Sequence, residues 1–283
     1  MKTVINIKTI IYITFLVIIF SPLTSVLSQE KQYDNTAINI IKKWELPKAL
    51  NEVSGIEWVD DNTIVAVQDE DGIIFIYNLE KKKIIQEIKF AGSGDYEGIT
   101  TCNDDAYVIR SDGYVFEIKN FRSNDKKVIK YSTDFSSKNN IETLTLNTKT
   151  NSLIVAPKDK DSKDDFKGLY EVPLGTKTRN NKPIVKIDLD APALKNYKKK
   201  KIYKTFSPSD VAIHPLTGDY YILEGKKPKL LIMDANSEIK KVFKLDSKHF
   251  AQPEGITFSP NGTLYISNEA GKKSANIIEV VIK

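Results

Sequence analysis

Cysteine is nearly absent from this chain: Cys102 is the single one in 283 residues. No internal disulfide is possible, so the fold must rest on a large core rather than on covalent staples. Cys102 follows an apolar strand pattern and reads as a small buried residue. Histidine is almost as scarce, with His214 and His249 the only two. His214, in Ile213-His214-Pro215, reads as part of a hairpin turn, and His249 reads as a surface residue. No nucleophile elbow, Ser-His-Asp order or phosphate-cradling glycine loop is present. Long helical periodicity is missing too. Charge of neither sign dominates: the net +5 is a mild excess and gives no reason to expect nucleic acid. The longest apolar run, Ile10–Phe20, has eleven residues, against the ~20 that a bilayer-spanning helix needs.

That run lies between the basic Lys2 and Lys8 and the small residues Val26 and Ser28. The pattern is that of a secretory signal peptide over residues 1–28, with an uncleaved anchor as its alternative. A linker over 29–36 and one domain over 37–283 follow. Without the leader the charge falls by two lysines from +5 to +3. The expected location is the periplasm, the cell envelope or the exterior, with no stable membrane span once the leader is gone.

What the chain does have is a short acidic phrase that recurs. It reads Glu52-Val-Ser-Gly-Ile56, Asp95-Tyr-Glu-Gly-Ile99, Asn140-Ile-Glu-Thr-Leu144, Pro208-Ser-Asp-Val-Ala212 and Pro253-Glu-Gly-Ile256. Taking Ser54, Glu97, Glu142, Asp210 and Glu254 as pivots gives gaps of 43, 45, 68 and 44 residues. A period in the forties marks a β-propeller. Each unit carries short strands and tight turns. In the first these are 55–59, 63–67, 73–77 and 84–88, with Gly72 expected at φ > 0 in the second turn. Thr217-Gly218 and Asn261-Gly262 are the first hairpin turns of the last two units. A polar insert, Lys158–Lys167, fills the second turn of the third. The long gap contains lysine-rich Ala191–Phe206, expected as a linker or short helix rather than a lost blade. Its run Lys198–Lys201, flanked by Lys195 and Lys204, reads as a solvated surface loop, with contact to an anionic polymer or lipid as the alternative. The fifth unit has three strands and then ends, while Ala37–Trp44 is a strand without a blade. The predicted fold is therefore all-β. It is a five-bladed propeller of four-stranded antiparallel blades, closed by an N-terminal strand joining the last blade.

In such a ring the innermost strands line a channel. The phrase places Glu97, Glu142, Asp210 and Glu254 at one mouth, with Asp69, Glu70, Asp112, Asp159, Glu224 and Glu269 around them. Converging carboxylates at low dielectric either take up protons or bind a cation; the alternative is that these acids accept from neighbouring backbone N–H groups and only order the turns. An all-oxygen donor set favours Ca²⁺. Glu97, Glu142, Asp210 and Glu254 are thus the candidate metal ligands. Ser54 brings no charge.

The phrases at 52–56, 95–99 and 252–256, with Leu264-Tyr-Ile-Ser-Asn-Glu269, resemble the SdiA-regulated (YjiK-like) bacterial propellers, distant relatives of NHL-repeat proteins. The resemblance runs from about Trp44 to the C-terminus. It implies five blades, an envelope or secreted setting and a calcium site, with no established activity. Asp210 departs from the acid-Gly-Ile pattern. The function expected is a binding or interaction module for a protein or small-molecule ligand on the propeller face. The alternative is a calcium-dependent hydrolase resembling phytases, lactonases or esterases, with His249, Glu70 or Glu224 as base and Arg110 and Lys158 toward a phosphate.

Overall fold

A computed structural model describes residues 38–60 and 62–283. The proposed leader and linker lie outside the described residues, as does Asp61 of the first turn. The chain begins with strand β1 (Ile38–Glu45). Blade 1 is β2 (Val53–Asp60), β3 (Thr63–Gln68), β4 (Asp71–Asn78) and β5 (Lys83–Ser93). Blade 2 is β6 (Tyr96–Cys102), β7 (Asp105–Arg110), β8 (Tyr114–Lys119) and β9 (Lys127–Ser132). Blade 3 is β10 (Thr145–Asn147), β11 (Ser152–Val155), β12 (Phe166–Pro173) and β13 (Val185–Asp188). Blade 4 is β14 (Asp210–Ile213), β15 (Tyr220–Glu224), β16 (Lys229–Met233) and β17 (Ile239–Lys244). Blade 5 takes β18 (Pro253–Phe258), β19 (Leu264–Asn268) and β20 (Asn276–Ile282) from the C-terminus and β1 from the N-terminus. The architecture is all-β, five blades of four antiparallel strands in a ring.

Closure is by strand exchange, as the sequence predicts. β1 pairs antiparallel with β20, with Ile38 opposite Ile282 and Trp44 opposite Ile277. A bulge between Ile40 and Lys42 turns Ile41 outward, where it is 57% exposed. Trp44 is buried, and its indole N–H donates to the Leu79 carbonyl of blade 1 at 2.7 Å. One end of the chain therefore ties blade 5 to blade 1. The innermost strands touch in sequence, β2 to β6 to β10 to β14 to β18, and β18 returns to β2.

The core consists of five apolar clusters, one between each pair of neighbouring blades. Each takes a residue from the same position of the recurring phrase: Ile56, Ile99, Leu144, Val211 or Ile256. Two residues earlier the pairing slips, between Val53 and Gly55, Tyr96 and Gly98, and Pro253 and Gly255, so Ser54, Glu97 and Glu254 sit in bulges that break the alternation. The phrase glycines are there because inner strands approach closely. A Cβ on Gly55 would lie 2.8 Å from Gly98 Cα, closer than any side chain tolerates.

The long connection between blades 3 and 4 is a linker, as expected. It holds 3-10 helices at Pro192–Tyr197 and Ile202–Lys204. Leu194 and Phe206, both fully buried, plug it into the cluster between those blades. Gly218 and Gly262 adopt φ of +75° and +88° in the two expected hairpins. Gly72 differs from expectation. It lies within β4 and is not among the positive-φ glycines. Its small size is needed because a Cβ would meet Ala91 of β5 at 2.7 Å. Cys102 is half-buried rather than buried. Among the described residues no helix is long and apolar enough to cross a membrane.

Candidate functional site

The register of the inner strands decides which residues are equivalent around the channel. Ile56, Ile99, Leu144, Val211 and Ile256 occupy matching core positions, so the position two residues earlier is Ser54, Glu97, Glu142, Ser209 and Glu254. Ser209, not Asp210, is the fourth pivot. The hydroxyls agree. Ser54 Oγ donates to the Tyr96 carbonyl at 2.6 Å, and Ser209 Oγ donates to the Pro253 carbonyl at 3.0 Å. In each case the acceptor directly precedes the next blade's glutamate. The offset arises because Asp210 fills the register position that Gly55, Gly98 and Gly255 hold elsewhere.

Asp210 is accordingly placed apart from the other expected ligands. Its Oδ1 accepts from Val211 N at 2.8 Å and Leu144 N at 3.5 Å, and its Oδ2 from Ile256 N at 2.9 Å. One carboxylate thus joins the inner strands of blades 3, 4 and 5. Burial pushes it well above the usual carboxylate range, opposed by those three N–H donors and raised further by Glu57. Glu57 is a channel acid that the phrase alone did not reveal. Burial lifts it to about 8, and Thr257 Oγ1 donates to its Oε2 at 3.1 Å. The available signal was its register: Glu57 stands where the other blades carry Thr100, Thr145, Ala212 and Thr257.

Glu97, Glu142 and Glu254 do come together at the mouth. Burial, then Glu142 and Asp95, push Glu97 up to about 10. Burial lifts Glu142 to about 8 against the pull of Lys158, and Glu254 adds to the rise. Burial raises Glu254 as well, again opposed by Lys158. Two of the expected neighbours join them. Glu269 is lifted to about 8 by burial and then by Glu254, Glu52 and Asp69. Asp69 is raised by burial and by Glu52 and Asp95, and its Oδ1 is buried without a hydrogen-bond donor.

Lys158 is the ammonium in this group. It sits against Glu142 Oε2 as an ion pair. Asn140 Nδ2 donates to Glu142 Oε1 at 2.8 Å. Burial depresses the lysine, but Glu142, Glu254 and Glu97 outweigh it and hold it above the ordinary value. The other expected acids are spent elsewhere. Asp112 forms a two-pronged pair with Arg110 at 2.6 and 2.9 Å. Glu224 is paired with buried Lys229 at 2.8 Å. Glu70 is exposed, and Asp159 belongs to the insert loop beside Lys167. His214 shapes its hairpin, its Nδ1 accepting from Leu216 N and Thr217 N at 3.2 and 3.3 Å. His249 is exposed.

The donors suit a hard cation in kind, being oxygen throughout. Their arrangement is less complete. Among the described residues no three acidic, histidine or cysteine side chains converge closely enough to hold a metal ion. A cation reaching Glu142 Oε2 would take the place now held by the Lys158 ammonium.

The family model described as SdiA-regulated matches residues 29–271. No curated protein matches the chain. Among solved structures, glutaminyl cyclase from Myxococcus xanthus aligns with a TM-score of 0.58 at 12% identity, over 87% of this chain and 97% of that one. A luciferin-regenerating enzyme aligns at 0.53 and 11%, over 86% and 94%. A chain of a nidogen–laminin complex aligns at 0.50 and 11%, over 76% and 72%. At such identities the likeness shows the propeller fold alone.

Proposed function

The chain belongs to the SdiA-regulated family, and we propose that it is an exported binding module whose acidic channel mouth takes up a cation, Ca²⁺ in the first instance. The observation that carries this reading is convergence: five carboxyl groups from four blades share one mouth, where they either hold protons or are met by a cation. Glu97, Glu142, Glu254, Asp69 and Glu269 are all pushed upward at one mouth; Lys158 opposes four of them, and Lys226 acts on Glu254 as well. Buried like charges persist only with compensation. Glu97, Glu142 and Glu254 are the proposed ligands. Asp210 is left out of the set because backbone amides occupy both its oxygens. When bound, the ion would supply the positive charge that fixes the loops of this face.

Export is proposed from the leader pattern, and the start of the family match at residue 29, directly after Ser28, supports it. The hydrolytic alternative gains no base from the geometry. Glu224 is held by Lys229, and His249 is exposed. The test is thermal. An ion that binds only the folded state raises the midpoint in proportion to the logarithm of its concentration. Chelator-treated protein should show a rising midpoint from micromolar to millimolar Ca²⁺. A flat midpoint over that range refutes the calcium reading.

A further inference from the structure

A second charged feature lies on the blade 3–4 side of the same face, and the acidic mouth does not account for it. The insert loop between β11 and β12 meets the linker between β13 and β14 around a cavity of about 390 Å³. Lys160, Lys200 and Lys201 line it, together with Asp164, Ile202 and Tyr203. Three ammonium-bearing chains thus share one concavity with a single carboxylate. Among the described residues none of those three lysines forms an ion pair. Their neighbour Lys198 does, with Asp190 at 2.6 Å.

The surroundings carry both signs: ammoniums gather around Tyr203, and Asp159, Asp161, Asp164 and Glu224 act on buried Lys167. Lys160, Lys167 and Lys204 each place an ammonium 5.6 to 5.7 Å from the Tyr203 ring centre. Lys167 is fully buried behind that ring, and its Nζ donates to the Lys158 carbonyl at 2.8 Å. Lys199, exposed on the linker, is depressed by its neighbour Lys227 of the β15–β16 turn. A concave site lined with one sign of charge also concentrates counter-ions.

We propose that this cavity is a binding site for a small multivalent oxyanion of the phosphate class, separate from the cation site at the mouth. Lysines act as point charges that close on a compact polyvalent anion from several sides, whereas a planar carboxylate is better met by the arginine fork. The volume falls in the small-ligand range, and four of the six lining residues are charged, which favours a charged ligand. The proposal does not depend on the calcium reading and is tested without calcium.

Inorganic pyrophosphate titrated calorimetrically into the full chain, in chelator at fixed ionic strength, should give saturable binding at one site. The variant Lys160→Gln/Lys200→Gln/Lys201→Gln should weaken it about tenfold or more. A control, Lys81→Gln/Lys83→Gln/Lys127→Gln, removes the same charge from blades 1 and 2 and should change affinity by less than about twofold. Asp164→Asn, which removes the one carboxylate that lines the cavity, should tighten binding. Non-saturating heats, or an equal loss in the control, overturn the proposal by making the attraction diffuse. Vesicles of phosphatidic acid in phosphatidylcholine form the second arm. Binding to them without binding to pyrophosphate assigns the lysines to a lipid surface and overturns the small-ligand site.

Discussion

At Asp210 a carboxylate stands where three other blades have a glycine, and it changes what the channel needs. Its two oxygens satisfy three backbone N–H groups from three blades. Removing the acceptor leaves those donors buried and unpaired, each costing about 1–3 kcal/mol. Asp210→Ala is therefore expected to lose at least about 3 kcal/mol in urea unfolding, with Asp210→Asn intermediate. An unchanged midpoint for the alanine variant would mean that the acid is not a latch. Glu57 gives a pH dependence of definite sign. Folded, it keeps its proton to about 8, and the ordinary value is 4.5. Between those values the folded state binds more protons than the unfolded chain, so stability falls as pH rises through that window and is fully kept below it. Glu57 retains some exposure, so its share is discounted to on the order of 2–3 kcal/mol. Glu57→Gln should flatten the fall in midpoint between pH 5 and 8 by roughly that amount. A slope identical to wild type counts against the assignment.

Elements were legible where one residue type serves one purpose. Alternating β-branched runs and Gly-containing hairpins marked the strands, and three strands in the last unit implied a fourth from the N-terminus. Removal of residues 33–46 takes away β1 and the Trp44 anchor, and leaves β20 as an open edge. The truncated protein should unfold at lower urea or fail to fold. Trp44→Ala alone should cost about 3–5 kcal/mol. Midpoints equal to wild type would show that closure contributes nothing. Legibility failed where the sequence offered two acceptable alignments. Asp210 looked like the missing acid of blade 4, and a one-residue offset hid Ser209 as its true counterpart. The offset is visible only from which side chain enters the inter-blade core, because a slip by one exchanges core and channel faces. Gly72 was read through its neighbours Asp69-Glu70-Asp71 as a turn glycine, but contact with Ala91 is what requires it. Glu57 escaped because it lies outside the recurring phrase.

At the scale of the molecule, the ring is a means of bringing residues far apart in sequence into one electrostatic system. Glu97, Glu142 and Glu254 come from three blades, and Lys158 from the insert of one of them. The same face carries lysines on its blade 3–4 side, so acidic hub and basic flank are neighbours. Ca²⁺ titrated calorimetrically into chelator-treated protein, alongside Glu97→Gln/Glu142→Gln, tests the hub most directly. One saturable site in the wild type, abolished in the double variant, is the predicted result. Absent binding, or equal affinity in the two proteins, would contradict the claim that the converging glutamates hold a cation.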